Sequence, residues 1–417
     1  MRTFVEPLEN LSGFFDLMKT AKKEKGLYSI TGCIDAQKPH MMYSCSANSD
    51  GKKHNIIVTF HEQKAKELYE EYRFFEPEVV YYPAKDVLFY QADIRGNVLT
   101  SERIRALKAI HEKEKVTVIT TFDALMNTQA PPEKIWQSVL KFAAGDELSL
   151  DEVKAQLVRM GYEKEYQVET MGQFAIRGGI LDIFPLTEEN PIRIEMWGDE
   201  IDTIRTFDTE SQKSIETIDE IHIYPACELV LSDDEKRIGI EKLLKEAKKT
   251  SEKLRKEMKT EEAHRMLSTA EEKAEEWGEL SMYAGMDAYL SYFCEERKGI
   301  LDYFSPEETF VFFDELSRCV ERGKQTEVEF SESMKHRLEK GYILPGQMKE
   351  LFMEKEILGK CQQFSCISLA ALDAKANGLK QKGVFGIHVK SVNAYNSSFE
   401  LLVKDLKNYK KNHYKVV

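Results

Sequence analysis

Nothing in the 417 residues offers a membrane-spanning run, for which about 18 consecutive apolar residues are needed. The opening Met1-Arg2-Thr3-Phe4-Val5-Glu6-Pro7 soon turns charged and lacks the apolar centre of a secretion signal. Cysteine is sparse: the seven present (Cys33, Cys45, Cys227, Cys294, Cys319, Cys361, Cys366) form no CxxC pair and stand at no zinc-finger spacing. Free thiols in a reducing compartment follow, and with the two preceding absences a cytoplasmic protein is expected. Positive charge is in deficit, with 59 Lys and Arg against 72 Asp and Glu and a net charge of −13. That balance counts against a broad, sequence-independent grip on nucleic acid and leaves only a local basic patch open. No Gly-Lys-Ser or Gly-Lys-Thr occurs anywhere, and no nucleophile elbow or Ser-His-Asp arrangement is visible.

What is present is a core-forming composition. With 42% hydrophobic and 10% aromatic residues, the chain can bury several cores, and its length suggests two to four domains. Residues 1–130 alternate between short β-branched runs (27–31, 55–59, 78–82, 116–120) and helical stretches (63–75, 101–113, 122–127), the rhythm of a parallel α/β unit. Pro131-Pro132 breaks it. A helix over 150–160 follows, and then period-two alternation from Phe174 to Phe207, cut by Gly178-Gly179, Pro185, Pro191 and Gly198-Asp199, predicts an antiparallel meander. Residues 233–278 read as a charged helical pair with one apolar stripe and a solvated face. Thr309 to Glu315 reads as a buried strand returning to the first sheet. The tail reads strand, helix (397–411) and a new strand from Tyr414, so the chain looks like the N-terminal fragment of a longer protein. The expected division is 1–135, the first part of an α/β domain; 136–228, an inserted α+β domain with an antiparallel sheet; 229–378, a helical segment and return; and 379–417, the start of a further unit.

Three ordered blocks carry a resemblance. Tyr82-Pro83-Ala84-Lys85-Asp86, with Asp93 and Arg103 behind it, is the first. Arg177-Gly178-Gly179-Ile180-Leu181-Asp182-Ile183-Phe184-Pro185, followed by Ile192-Arg193-Ile194-Glu195, is the second. Asp199-Glu200-Ile201-Asp202 with Phe207-Asp208 and Ser211-Gln212 completes the set. Over residues 79–214 the chain resembles the excinuclease component UvrB and the UvrB-like module of transcription-repair coupling factors. The fold implied is a degenerate P-loop, helicase-like α/β domain interrupted by the smaller α+β domain. UvrB carries an intact phosphate loop; the coupling-factor module has lost it.

The matching segment here is Gly32-Cys33-Ile34-Asp35-Ala36-Gln37-Lys38-Pro39. Such a loop needs a second glycine, a lysine for the terminal phosphates and a hydroxyl for Mg²⁺. Gln37 replaces the glycine, Pro39 replaces the hydroxyl, and Asp35 adds negative charge where phosphate would lie. Lys38 alone is then expected to be a surface lysine, and Asp314-Glu315 a relic of a magnesium-binding strand end. No ATPase activity, cofactor or metal is expected.

In Pro191 to Trp197 the alternation puts Ile192, Ile194 and Met196 on one face and Arg193, Glu195 and Trp197 on the other. Arg and Trp on a face that should meet water are the residue types favoured at interface centres. An alternative buries Trp197 under the 233–278 helices, and Arg177 has an alternative role as a plain ion-pair partner of Glu195. The resemblance implies that this domain binds the excinuclease component UvrA through Arg177, Arg193 and Trp197, with Glu195 a weaker candidate. It further implies that RNA polymerase and DNA are engaged by parts of the longer protein absent from this chain. The rival expectation is a divergent UvrB, an ATP-dependent, DNA-binding helicase. That reading requires an intact phosphate loop and a long hairpin after Tyr90, where only residues 93–100 precede the next helix.

Overall fold

A computed structural model describes residues 2–9, 11, 13–49, 51–85, 96–278, 285–372, 378–389 and 392–414. Asp86, Tyr90, Asp93 and the last three residues of the expected terminal strand lie outside them. The chain begins a parallel sheet with β1 (Gly26–Thr31), β2 (His54–Thr59), β3 (Val80–Tyr82) and β4 (Val116–Thr121). It then leaves for β5 (Leu140–Ala143), β6 (Glu163–Lys164), β7 (Gln173–Arg177), β8 (Ile180–Ile183), β9 (Ile192–Trp197), β10 (Glu200–Phe207), β11 (Ser214–Ile218) and β12 (Glu220–Ile223). After two long helices it returns as β13 (Thr309–Asp314), β14 (Ser365–Ala370) and β15 (Gln381–Gly386).

The seven-stranded sheet runs β15-β1-β14-β13-β2-β4-β3, every neighbour parallel. Its central strands are buried end to end because helices cover both faces. Alternation divides their side chains between two cores: Ile56, Val58, Val311 and Phe313 point into one, Ile57, Phe310, Phe312 and Ile367 into the other. β15, expected to open a further unit, is instead hydrogen-bonded to β1, whose backbone groups on that side would otherwise be unpaired.

The six-stranded sheet runs β11-β10-β9-β8-β7-β6 and is antiparallel except for the short β6–β7 pairing. Phe174, Leu181, Ile183, Ile192, Ile194, Ile201 and Ile204 form its inner layer under Val153 and Leu157 of the Leu150–Arg159 helix. Ser149 caps that helix by accepting from the Glu152 amide.

The Asp233–Lys256 helix opens on a capping box between Ser232 and Glu235. Leu243, Ala247 and Leu254 bury against Ala263, Met266, Ala270 and Trp277 of the Thr260–Gly278 helix. The indole sealed in this pair is therefore Trp277, not Trp197. Among the described residues no helix is long and apolar enough to cross a membrane.

Candidate partner-binding face

The outer face of the six-stranded sheet is organised by register. Arg177, Ile180, Glu195 and Thr203 stand in one cross-strand row; Ala175, Asp182, Arg193 and Arg205 stand in the next. Asp182 is 1% exposed and would be costly there without cationic partners. It accepts from Arg193 Nε at 2.7 Å and Nη2 at 2.9 Å, and from Arg177 Nη2 at 2.6 Å.

Arg193 is not the water-facing group that alternation alone suggests. Its side chain is 14% exposed, lies 4.3 Å over the Phe207 ring and also donates to Gln212 Oε1 at 3.1 Å. Phe207, Phe184, Ala175 and Val168 form a small second core on this outer face, and the guanidinium closes its edge. The hydrogen bonds that Arg193 donates to Asp182 lead the causes that raise the Arg193 pKa, so the group stays charged. Arg177 also pairs with Asp182 rather than Glu195, and keeps about a third of its side chain in solvent. Glu195 instead faces Arg205 at 3.5 Å and accepts from Thr203 Oγ1 at 3.3 Å.

Trp197 ends β9 at the rim of this face and is 83% exposed. It precedes the turn in which Gly198 takes φ +67, a left-handed conformation that strains a side-chain-bearing residue. The Gly178-Gly179 turn lies at the same end, with the Met196 amide donating to Gly179 O at 2.8 Å. The surface thus combines an indole free of the core, a half-committed guanidinium and a carboxylate that fixes both arginines. Asp182 went unrecognised in the sequence, although a lone acid in the apolar strand Ile180-Leu181-Asp182-Ile183 was the available signal.

A helix of the first unit holds the second one in place. On Gly96–Glu112, Ser101 and Arg105 donate to the Leu186 carbonyl, Lys108 meets Glu188, His111 meets Tyr224, and Glu112 meets His222. Arg103 is fully buried, bidentate to Glu228 at 2.6 and 2.9 Å and stacked on Tyr82. Lys85 joins the same Glu228 at 3.3 Å and Asp287 at 2.9 Å. Burial opposes ionisation of Glu228, but Arg103 and then Lys85 outweigh it and lower its pKa to about 2. His61 caps the Glu62–Tyr72 helix, while His54 leaves Nδ1 buried and unpartnered.

The Gly32–Pro39 segment corrects one expectation. Gly32 has φ +83, and a Cβ there would lie 2.0 Å from the Ile387 carbonyl oxygen. Asp35–Gln37 forms a short 3-10 turn, and Lys38 and Pro39 open the Lys38–Ala47 helix. Lys38 is not at the surface: its side chain is 3% exposed and Nζ sits 2.6 Å from Asp314, 2.7 Å from Asp35 and 2.9 Å from Glu315. Three carboxylates converge where the strands end, and a buried acid such as Asp314 requires a cation. Burial disfavours the charged lysine, but Asp314 and its hydrogen bond outweigh that and hold the ammonium above its ordinary range. Thr59 Oγ1 donates to the second Asp314 oxygen at 3.1 Å, and the Ala371 amide donates to Glu315 at 3.1 Å.

Residues 140–229, the whole six-stranded sheet and the β5–β12 pair, match the UvrB interaction domain family. The full chain aligns at 26% identity over 420 residues with 35% of the transcription-repair-coupling factor of Bacillus subtilis. It is similar over its whole length to the UvrB-like module of transcription-repair-coupling factors. At 27% identity, 93% of the chain also aligns with 32% of the Staphylococcus aureus (strain MRSA252) coupling factor. The UvrABC system protein B of Thermosipho africanus is 31% identical over 286 residues, covering 63% of this chain and 42% of that protein. The chain therefore spans about a third of the coupling factors it resembles.

Proposed function

We propose that the chain is a protein-docking module that recruits UvrA, the damage-recognition component of nucleotide-excision repair, to transcription-coupled repair. The contact face is the outer side of β7–β10, with Trp197 as anchor, Arg177 as the charged contact and Glu195 beside them. The exposure of Trp197 carries this reading: an 83% exposed indole at the end of a well-packed strand has no use in the fold, and Trp is among the residues most enriched at interface hot spots. Arg193, though a member of the same set, acts by holding Asp182 and thereby aiming Arg177. Acidic groups on the partner match the free guanidinium donors.

On the same proposal the Gly32–Pro39 segment does not bind ATP. Gln37 and Pro39 stand where a second glycine and a hydroxyl are needed, and the lysine is spent on Asp314, Asp35 and Glu315. In the longer coupling factor, RNA polymerase and DNA translocation would belong to other parts.

Titration of the chain against purified UvrA, with Trp197→Ala and Arg177→Ala beside it, tests the proposal. Each variant is expected to weaken the complex by about 2 kcal/mol or more. Unchanged affinity in the double variant removes the site. ATP turnover by the isolated chain removes the second part and favours the reading as a divergent UvrB helicase.

A further inference from the structure

The Asp233–Lys256 helix has a charged side that the apolar stripe does not explain. Leu243, Ala247, Ser251 and Leu254 are buried against its partner helix. At 3.6 residues per turn, Lys242, Lys245, Lys249, Lys253 and Lys256 fall within an arc of about 80° on the opposite side. All five are exposed, and among the described residues none enters an ion pair. The neighbouring acids are taken: Glu241 meets Arg237, Glu257 meets Lys259, and Glu246 binds Tyr292 and the Gly346 amide. Glu252, at the edge of the lysine arc, is the acid left beside it. At 1.5 Å per residue the ridge is about 21 Å long, on a chain whose net charge is −13.

The geometry points to a second binding surface: this lysine ridge engages the phosphate backbone of duplex DNA. Five ammonium groups over about 21 Å run alongside roughly six base-pair steps of 3.4 Å. Lysine is depleted from protein–protein interfaces, and between Lys242 and Lys256 the ridge holds no aromatic or aliphatic anchor of the kind such interfaces need. A membrane-surface helix requires its apolar face free, and here that face is sealed against the Thr260–Gly278 helix. The ridge also lacks Arg, Asn and Gln, the side chains that read base edges, so recognition is of the backbone and independent of sequence. This surface is separate from the β7–β10 face, and neither requires the other.

The test is fluorescence anisotropy of the full chain with a labelled duplex of about 20 base pairs, titrated with salt from about 50 mM upward. Wild type is expected to bind with log K falling against log salt at a slope of about −4, as for four to five neutralised phosphates. Lys245→Ala/Lys249→Ala/Lys253→Ala should lose affinity at least tenfold and flatten the slope by roughly 3. Trp197→Ala should bind DNA as wild type does. Alanine favours helix, so circular dichroism should be unchanged; the same three positions changed to Gln give a second variant with the polar surface kept. The idea is overturned by no wild-type binding at the lowest salt, by an unchanged slope in both triple variants, or by capture on anionic vesicles without binding to the duplex.

Discussion

Asp182 is the residue on which the geometry of the candidate partner-binding face turns, and its replacement by Asn gives a sharp test. The carboxylate is 1% exposed and accepts three charge-assisted hydrogen bonds from two arginines. An amide keeps one oxygen but presents an NH₂ to guanidinium groups that also only donate: at the Oδ2 position it removes the Arg177 bond and one Arg193 bond, at the Oδ1 position the Arg193 Nε bond. Arg193 is the costlier loss, because it is 14% exposed and packed on Phe207. Arg177 recovers part of its loss from water, being 35% exposed. Hydrogen bonds to charged groups contribute about 1.5–3 kcal/mol each and an orphaned buried charge costs about 3–5 kcal/mol. The expected destabilisation is therefore about 3 kcal/mol, read as a shift in the urea midpoint with unchanged slope. Binding to UvrA should fall in the same variant even below its unfolding transition, because Arg177 is no longer held. Trp197→Ala supplies the contrast, with stability within about 0.5 kcal/mol of wild type and binding weakened by about 2 kcal/mol or more. If Asp182→Asn unfolds within about 0.5 kcal/mol of wild type, the arginine–carboxylate cluster does not organise this face.

Three further outcomes follow from other contacts. Lys38→Met should destabilise the α/β unit by about 3–5 kcal/mol, since Asp314 and Glu315 are left without a cation while Asp35 keeps Lys64 at 3.7 Å; thermal unfolding reads it, and an unchanged midpoint refutes the buried pairing. Glu228 has a pKa lowered from 4.5 to about 2, so its contribution is present above pH 4.5 and is lost as pH falls from there through about 2. The full contribution is about 3 kcal/mol, and Glu228→Gln should remove it near neutral pH and flatten the acid limb of a stability profile. Ser232→Ala should cost about 1 kcal/mol through loss of the capping box, measured by the same unfolding.

The exposed position of Trp197 was legible because strand alternation is a local property: Ile192, Ile194 and Met196 share one side, and whatever lies between them faces the other. The wetness of Arg193 was not, because the outer face carries its own small core of Val168, Phe184 and Phe207, drawn from three separate segments. Period-two patterning assigns a side of a sheet but cannot report what covers that side. Lys38 failed for a related reason. Its partner Asp314 lies 276 residues away, and only the parallel order of β1, β14 and β13 brings strand ends and helix start together. β14 was missed because Ser365-Cys366-Ile367-Ser368-Leu369-Ala370 has little of the β-branched bulk that marks a strand, yet small residues suit the centre of a sheet packed on both faces. The helical pair was read correctly as amphipathic, since its stripe is set by spacing alone.

The candidate docking face is braced from outside its own sheet. The Gly96–Glu112 helix packs against β3 and β4 with one side and with the other donates to Leu186 and meets Glu188, Tyr224 and His222. Arg103 runs through this contact, stacking on Tyr82 of the parallel sheet while holding Glu228 at the end of the interaction domain, and Lys85 extends the network to Asp287 beyond the helical pair. A single buried carboxylate therefore ties three parts of the chain together, and orphaning any member is costly. On the proposed reading this explains why a helicase-like sheet persists without a working phosphate loop. The Lys38 cluster ties the start of the Lys38–Ala47 helix to the end of β13 in the same sheet against which the Gly96–Glu112 helix packs. On that same proposal, a scaffold without a nucleotide cycle would present Trp197 and Arg177 at a fixed angle, and preorganisation of that kind strengthens binding by lowering the ordering cost of the complex.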